Sequence, residues 1–327
     1  MRNSDSLPTM NDVAREAAVS VGTVSRYFNG YALKDSSRQR IEDAIKKLDY
    51  HVNNYARGLK TNKTFCVALI LPALNLPFFS LLAEEVIAAL KQKGYRTVLM
   101  ITNYDTEAEE TSVSLVRQNK MDGIIALTYN PRIAFDPSIP FVSIDRHCGA
   151  NSTCVSSDNF QGGQIAAEQL LSLGCKKLLY MRIGSDVASE TDKRGIGFET
   201  ICKARHADYE MLILNDSETN EPFYRYLSEH TTNGVPDYDG IFCSTDRLAV
   251  QVLGKLTELG VKVPQDVQLI GFDGVPDYVT NHPICSTIVQ PVKQIAEAAV
   301  SALFDTESAP TLVCLPVHFE AHGTTRE

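Results

Sequence analysis

The sequence predicts an α/β protein in which an N-terminal all-α helix-turn-helix head precedes a two-lobed body of parallel sheets flanked by helices. Residues 1–63 contain short, capped, amphipathic segments, whereas residues 64–327 alternate apolar runs with helical patterns, as βαβ units do. The charge divides at the same place. The head has 11 basic and 7 acidic residues, a net charge of +4, and the body has 20 basic and 33 acidic residues, a net charge of −13. This asymmetry is expected when only one end of a protein meets a polyanion.

The composition is typical of a globular protein, with 44% hydrophobic and 22% charged residues among 327. No apolar run approaches the roughly 20 residues of a membrane span, and the first residues lack the apolar stretch of a secretory signal, so we expect a cytoplasmic protein. Eight cysteines are scattered without a C-x-x-C or a zinc-like spacing. We therefore expect reduced thiols, no metal and no cofactor, and interpret the adjacent pair His147-Cys148 as incidental.

The head is expected to contain three helices. A Thr-x-x-Asp cap at Thr9 precedes apolar residues at helical spacing, and Ser20 caps a second helix that an Asn29-Gly30 pair ends. The first two helices are too close for anything but a tight helix-turn-helix. A third helix is predicted from about residue 36 to residue 48, with Asp35 or Ser36 as its cap.

The body is expected to contain two sheet-based halves that divide near Asp158. Strands are predicted at 65–71, 95–101, 123–127, 141–144, 177–182, 210–214, 240–243, 267–271, 286–290 and near 317, and helices at 79–93, 160–173, 193–204, 245–259 and 292–303.

The head also carries a string of short motifs. These are Asp12-Val13-Ala14, Val19-Ser20, Thr23-Val24-Ser25-Arg26, Asn29-Gly30 and Ser37-Arg38-x-Arg40-Ile41, followed by Leu48-Asp49-Tyr50, Asn53, Ala56-Arg57-x-Leu59 and Gly94-Tyr95. Together they closely resemble the lactose/galactose repressor (LacI/GalR) family of bacterial transcription regulators. The resemblance implies a DNA-binding head over 1–52, a hinge helix over 53–62 and an effector-binding, dimerising body over 63–327. The body resembles periplasmic sugar-binding proteins, which implies a lobe one of 64–158 and 291–316 and a lobe two of 159–290 and 317–327.

By the same resemblance, the second helix of the head lies in the major groove of a pseudo-palindromic DNA operator. Its base-edge readers would be Val21, Gly22 and Arg26, and its phosphate or positioning contacts would be Ser20, Thr23, Ser25 and Asn29. The guanidinium of Arg26 suits guanine, and Val21 suits a thymine methyl group. In the hinge, Leu59 would act as a minor-groove wedge between Arg57 and Lys60.

Effector-site residues are implied in the same way. They are Phe78 and Phe79 after Leu76-Pro77, Asp145 at a strand end, Glu190 and Arg194 in an R-x-x-G-F segment, Thr245 and Asp246 in an S-x-D turn, and Asp273 at another strand end. Carboxylates, one arginine and aromatic rings can bind the hydroxyl groups and C–H face of a sugar. Arg194 could instead bind an anionic group, so sugar phosphates and purines remain open as effectors.

Two other classes of function fit the sequence less well. An enzyme is disfavoured because the sequence has no P-loop, G-x-S-x-G or H-E-x-x-H motif, and the adjacent carboxylates Glu84-Glu85 and Glu109-Glu110 are expected on solvated helix faces. A cytosolic sugar-binding module without a regulatory role would leave the basic head unexplained. The sequence therefore predicts a dimeric DNA-binding regulator, a repressor of carbohydrate-utilisation genes controlled by a small effector, and not an enzyme.

Overall fold

The computed structural model describes residues 8–28, 31–50, 63–130, 132–148, 152–184, 187, 189–214, 219–277, 279–305 and 311–326. The chain divides into two compact units, Met1–Thr64 and Phe65–Glu327. The expectations for Asn29, Arg57, Leu59, Lys60 and the hinge lie outside the described residues.

The first unit is the predicted helical head, with α1 (Met10–Glu16), α2 (Val21–Phe28) and α3 (Asp35–Leu48). Val13, Val24 and Ile41, one from each helix, are fully buried and form the centre of its small core. The expected cap of α3 is wrong. Lys34 holds the N-cap position without a side-chain hydrogen bond, and Asp35 and Ser36 lie inside the first turn, where the Asp35 charge complements the helix dipole.

The second unit alternates strands and helices. In chain order these are β1 (Cys66–Leu71), α4 (Pro77–Gln92), β2 (Arg96–Ile101), α5 (Thr106–Gln118), β3 (Ile124–Ala126), β4 (Phe141–Ile144), β5 (Thr153–Ser157), α6 (Asn159–Ser172), β6 (Lys177–Ile183), a 3-10 turn (Glu190–Asp192), α7 (Lys193–Ala204), β7 (Asp208–Leu214), α8 (Glu221–Glu229), β8 (Thr231–Thr232), β9 (Val235–Pro236), β10 (Gly240–Cys243), α9 (Asp246–Glu258), β11 (Gln268–Asp273), β12 (Thr287–Val289), α10 (Val292–Phe304), β13 (Leu312–Leu315) and β14 (His318–Glu320).

Lobe one is built on a parallel sheet in the order β13-β5-β4-β3-β1-β2. Helices α4 and α10 cover one face, and their apolar residues form a core with β1, β3, β4 and β5. Both faces of β1 are buried, which explains why its sequence is a continuous apolar run rather than an alternating one.

Lobe two is built on a sheet in the order β14-β12-β11-β10-β6-β7, which is parallel except for the β12–β14 pair. One apolar cluster lies under α8 and α9, and a second lies under α6 and α7. Helices therefore cover both faces of this sheet, as expected of a parallel one. The predicted fold class, a helical head and two parallel-sheet lobes, is confirmed.

The chain passes between the two lobes three times: after β5, between β12 and α10, and between β13 and β14. Helices α5 and α8, strand β5 and the short β8–β9 pair were not predicted from the sequence, and the one strand predicted near 317 is two strands, β13 and β14. Among the described residues, none of the helices combines the length and apolar character that crossing a membrane requires.

Candidate functional site

The carboxyl ends of the parallel strands carry polar side chains in both lobes, and ligands of open α/β sheets bind at such edges. Asp145 follows β4 in lobe one, and Asp273 ends β11 in lobe two. Both have positive φ angles, 57° and 137°. Non-glycine residues rarely adopt such a backbone, and it is concentrated at binding and catalytic sites. The two aspartates predicted from strand ends are therefore held in unusual, well-defined positions.

Arg194, near the start of α7, is buried, with 3% of its surface exposed. Its Nε donates to the Asn159 Oδ1 at 2.7 Å, and its Nη1 donates to the Ser244 carbonyl oxygen at 2.5 Å. The guanidinium also lies over the Phe272 ring, 3.6 Å from its centroid, and 3.7 Å from the Asp273 carboxylate. Buried cations require such partners because their desolvation is costly.

A continuous hydrogen-bond chain extends from this arginine into lobe one. The Asn159 amide donates to the Ser156 Oγ at 2.9 Å, and the Ser156 hydroxyl donates to the Asp145 Oδ1 at 2.6 Å. On the other side, the Gln290 amide donates to Asp273 at 2.7 Å and accepts from the Ser157 hydroxyl at 2.8 Å. Since Asn159 and Gln290 lie at two of the crossings between the lobes, this network joins the lobes where they meet.

Burial changes the pKa values of the two neighbouring groups Arg194 and Asp273 in this network. Burial raises the pKa of Asp273 to about 8, although the nearby Arg194 charge opposes the rise. Burial also lowers the pKa of Arg194, against the attraction of Asp273 and Asp145. A carboxyl group with such a pKa can both donate and accept hydrogen bonds near neutral pH, which suits a ligand rich in hydroxyl groups.

Glu190 forms a second contact between the lobes. Its carboxylate, 2% exposed, lies 2.6 Å from the His147 Nε2 and accepts from the Lys193 Nζ at 2.7 Å. Its backbone N–H donates to the Asp145 carbonyl oxygen at 2.9 Å. The interpretation of His147 as incidental is therefore wrong, because this side chain follows β4 of lobe one and contacts the 3-10 turn of lobe two.

Two glycines set the position of Arg194. A Cβ atom on Gly163 would lie 1.9 Å from the Arg194 carbonyl oxygen, and one on Gly197 would lie 2.0 Å from the Phe160 carbonyl oxygen. Helices α6 and α7 therefore touch backbone to backbone. This contact brings Asn159, at the start of α6, within hydrogen-bond distance of Arg194.

Asp246 is fully buried inside lobe two and does not reach the cleft. Its carboxylate accepts from the Val275 backbone N–H at 2.7 Å, the Thr287 hydroxyl at 2.5 Å and the Cys285 thiol at 3.6 Å. The contact of Asp246 with an effector stays a prediction, since its carboxylate is occupied by donors of lobe two. Its role is to fix the loop after β11. The neighbouring Thr245 caps α9, with its hydroxyl oxygen accepting from the Leu248 N–H at 3.2 Å.

Phe78 and Phe79 form an edge-to-face pair with ring centroids 5.9 Å apart, within the core of lobe one. They are 8% and 6% exposed, so their contact with an effector stays a prediction. The expectation of a solvated Glu109 is wrong, because only 3% of its surface is exposed. Glu109 accepts from the Tyr129 backbone N–H at 3.3 Å, and burial raises the pKa of its carboxyl group.

In the head, α2 presents a polar surface. Ser20, Val21, Gly22 and Arg26 are exposed, whereas Val24 on the opposite side is buried. Ser20 begins the helix, as predicted: its Oγ accepts from the Thr23 backbone N–H at 3.2 Å and lies 2.9 Å from the Thr23 hydroxyl. An exposed valine, a glycine and an arginine on one helix face suit contact with base edges.

Sequence reasoning missed Ser156, Ser157, Asn159, Gln290 and His147 in the cleft. The available signal was position: Ser156 directly follows the apolar pair Cys154-Val155, and Gln290 directly follows the apolar pair Ile288-Val289. Asp145 and Asp273 also directly follow apolar residues at strand ends, and this position would have selected Ser156 and Gln290 as well. Asn159 and His147 carry no such signal.

A helix with an exposed polar face on a basic head, and a hydrogen-bonded cleft between two parallel-sheet lobes, define a ligand-responsive DNA-binding protein. The models of two protein families match: bacterial regulatory proteins of the lacI family over residues 9–53, and the periplasmic binding protein-like domain over 167–312. The chain belongs to the lacI family of bacterial regulatory proteins.

Three known proteins illustrate the relationship. The ribose operon repressor of Lactococcus lactis subsp. lactis (strain IL1403) is 32% identical, over 98% of this chain and 99% of the relative. The sucrose operon repressor of Pediococcus pentosaceus is 31% identical, over 90% and 91%. A solved periplasmic binding protein/LacI transcriptional regulator from Alkaliphilus metalliredigens QYMF, complexed with D-xylulofuranose, is 27% identical with a TM-score of 0.69, over 80% of this chain and 99% of that one.

Proposed function

We propose that the protein is a dimeric repressor of carbohydrate-utilisation genes in the cytoplasm, controlled by a sugar bound between the two lobes, and that it acts by binding rather than by catalysis. The proposed regions are a DNA-binding head over 1–52, a hinge over 53–62 and an effector-binding body over 63–327. The observation that carries this proposal is the hydrogen-bond network from Asp145 through Asn159 and Arg194 to Asp273, which connects both lobes. A ligand that enters this network changes how the lobes are joined.

A sugar is the effector that suits this chemistry. Asp145, Arg194, Asp273 and Gln290 combine acceptors and donors at one place, and a sugar presents hydroxyl groups that do both. The relatives repress ribose and sucrose operons, and the solved relative holds a furanose sugar. Glu190 and Thr245 border the same strand ends and complete the proposed contact set with Phe78 and Phe79.

In the head, Arg26 is proposed to read a guanine and Val21 a thymine methyl group. Gly22 allows the helix to approach the bases closely, and Ser20, Thr23, Ser25 and Asn29 contact the DNA backbone. In the hinge, Leu59 is proposed as the minor-groove wedge, with Arg57 and Lys60 beside it. A Leu59→Ala variant should bind operator more weakly, and unchanged affinity would exclude the wedge role.

Effector binding is proposed to rotate one lobe against the other and thereby change DNA affinity by about 1–3 kcal/mol. The test is a thermal-shift screen of the full chain against sugars, followed by DNA titration with and without the compound that binds. A ligand at about 100 times its Kd should add about 2.7 kcal/mol of stability. Absence of any shift across the sugars would refute the sugar-cleft part of the proposal.

Two variants separate the two activities. Arg194→Met should abolish the ligand-induced thermal shift while DNA binding by the head persists. Arg26→Ala should weaken operator binding while the thermal shift persists, because residues 26 and 194 belong to different compact units. Loss of both activities in either variant, with the fold intact by circular dichroism, would contradict the proposed division of labour.

A further inference from the structure

Arg146 is a buried guanidinium with N–H groups that lack acceptors. Only 4% of its surface is exposed, and its Nε and Nη1 atoms are buried without a hydrogen-bond partner among the described residues. Its guanidinium carbon lies 4.6 Å from the centroid of the Tyr129 ring. A cation over an aromatic face gains part of the energy that burial costs, but its N–H groups still lack acceptors. Such a group is suited to accept an anion.

The position of Arg146 is that of a ligand-binding residue. It follows β4, Tyr129 follows β3 and Tyr104 follows β2, so all three lie at the carboxyl edge of the lobe-one sheet. The Tyr104 and Tyr129 rings contact edge to face at 4.9 Å, and Tyr104 has a positive φ of 62°. The backbone of Arg146 also pairs with Ser189 of lobe two.

A second arginine lies at the corresponding sheet edge of lobe two. Arg247, in the first turn of α9, is exposed and follows the carboxyl end of β10. Partial burial raises the pKa of the Tyr104 phenol to about 12, and the charges of Arg247 and Arg146 oppose that rise. Arg146 and Arg247 therefore lie at the carboxyl edges of the two sheets, one in each lobe.

In the part of the chain that the structure describes, no carboxylate forms a hydrogen bond with the Nε or Nη1 of Arg146. Among the described residues, Glu190 is paired with His147 and Lys193, and the Asp145 Oδ1 accepts from Ser156. Glu109 is buried, and its Oε1 has no hydrogen-bond partner in the same part of the chain. Burial raises the pKa of Glu109, which disfavours the charged form of its carboxyl group.

We propose that Arg146 and Arg247 form an anion subsite, so that the effector is an acidic sugar whose phosphate or carboxylate group lies between the two lobes. This inference rests on the proposed sugar cleft and specifies which sugars it takes. A phosphate group carries a charge of about −1.5 to −2 at pH 7 and can accept from two guanidinium groups at once.

The test measures Kd by calorimetry for two matched series with the full chain: D-ribose, D-ribose 5-phosphate and D-ribonate, and D-glucose, D-glucose 6-phosphate and D-gluconate. In at least one series the phosphate should bind at least about 10-fold tighter than the neutral sugar, equivalent to about 1.4 kcal/mol. If the sugar acid of that series, D-ribonate or D-gluconate, also binds tightly, the subsite accepts anions in general. If only the sugar phosphate binds tightly, the subsite is specific for phosphate.

Three variants make the test specific. Arg146→Met and Arg247→Gln should each reduce the preference to below about threefold. The control Arg205→Gln should leave the preference for phosphate unchanged, because Arg205 lies at the C-terminal end of α7 with 66% of its side chain exposed. Without ligand, Arg146→Met should unfold at the same or higher urea concentration than the parent chain, because it removes unsatisfied buried polar atoms. A structural arginine would instead destabilise the protein when lost.

The outcomes separate the two proposals. Neutral sugars that bind as tightly as their phosphates, or a phosphate preference that survives Arg146→Met, would overturn the anion subsite and leave the sugar cleft in place. Binding of no compound in either series would overturn both. Binding of phosphates that is equally strong for inorganic phosphate would retain the anion subsite and contradict the sugar cleft.

Discussion

Replacing Asp273 with asparagine should make the body of the protein less sensitive to pH. The carboxyl group has an ordinary pKa of 3.8, and burial raises this pKa to about 8 in the folded state. Between these values the unfolded chain has released a proton that the folded chain keeps. The stability contributed by this proton is complete below about pH 4 and is lost as the pH rises toward 8.

The magnitude follows from the shift. Each pH unit between the two pKa values lowers the unfolding free energy by about 1.36 kcal/mol, so Asp273 accounts for a loss of about 2.7 kcal/mol between pH 5 and pH 7. The asparagine side chain of the variant cannot ionise and keeps a similar shape. The difference in stability, Asp273→Asn minus parent, should therefore rise by up to about 2.7 kcal/mol over this interval.

Urea unfolding of the parent chain and the variant at pH 5, 6, 7 and 8 provides the measurement. Asp277→Asn is the matched control, because hydrogen bonds from the backbone N–H groups of Thr280 and Val279 lower the pKa of Asp277. The stability that Asp277 contributes is present above its ordinary pKa and is lost only in more acidic solution. The difference in unfolding free energy between Asp277→Asn and the parent chain should therefore stay constant from pH 5 to pH 8. An equally flat difference for Asp273→Asn would refute the assignment of a protonated, buried carboxyl group.

Three further predictions concern packing, the network and the head. Gly163→Ala places a Cβ 1.9 Å from a backbone oxygen and should lower the unfolding free energy, measured in urea, by about 3 kcal/mol. The control Gly254→Ala has open space around it and should stabilise its helix by up to about 1 kcal/mol. Equal effects of the two variants would contradict the close helix contact. Asn159→Ala removes the acceptor of the buried Arg194 guanidinium and should lower the unfolding free energy, measured in urea, by about 2–3 kcal/mol. The control Asn220→Ala breaks a neutral 2.7 Å hydrogen bond to Gln251 and should lower it by about 1 kcal/mol. Arg26→Ala should remove about 1–3 kcal/mol of discrimination at one operator base pair, measured by titration of point-substituted operators, and unchanged discrimination would exclude base contact.

The fold could be predicted from the sequence largely because its elements are locally encoded. Predicted and observed bounds coincide at Phe141–Ile144, Gly240–Cys243 and Lys193–Ala204. Strand β5 was missed because Ser156 and Ser157 make its second half polar. These hydroxyl groups are buried only because Asp145 and Gln290 accept their hydrogen bonds, and those partners come from elsewhere in the chain.

The grouping of side chains was predictable where a motif fixes both residue type and position, as it does for Asp145, Arg194 and Asp273, which one network joins. Their contact with an effector stays a prediction. The grouping was not predictable where the direction of a side chain decides. Asp246 occupies the expected turn, but its carboxylate faces the interior because backbone and hydroxyl donors lie there. Glu109 and Glu110 are adjacent and both accept hydrogen bonds from the segment after β3, but Glu109 is buried and Glu110 is exposed.

The three passages of the chain between the lobes also constrain how the protein is made. Helix α10 supplies Ile295, Ala299 and Leu303 to the core of lobe one, and β13 and β14 form the outer strands of the two sheets. During synthesis on the ribosome, neither lobe can be completed until nearly the whole chain has emerged. The head has its own core and depends on no later segment. The head of a nascent chain can therefore finish folding before either lobe does. The head can come under effector control only after nearly the whole body has left the ribosome and folded.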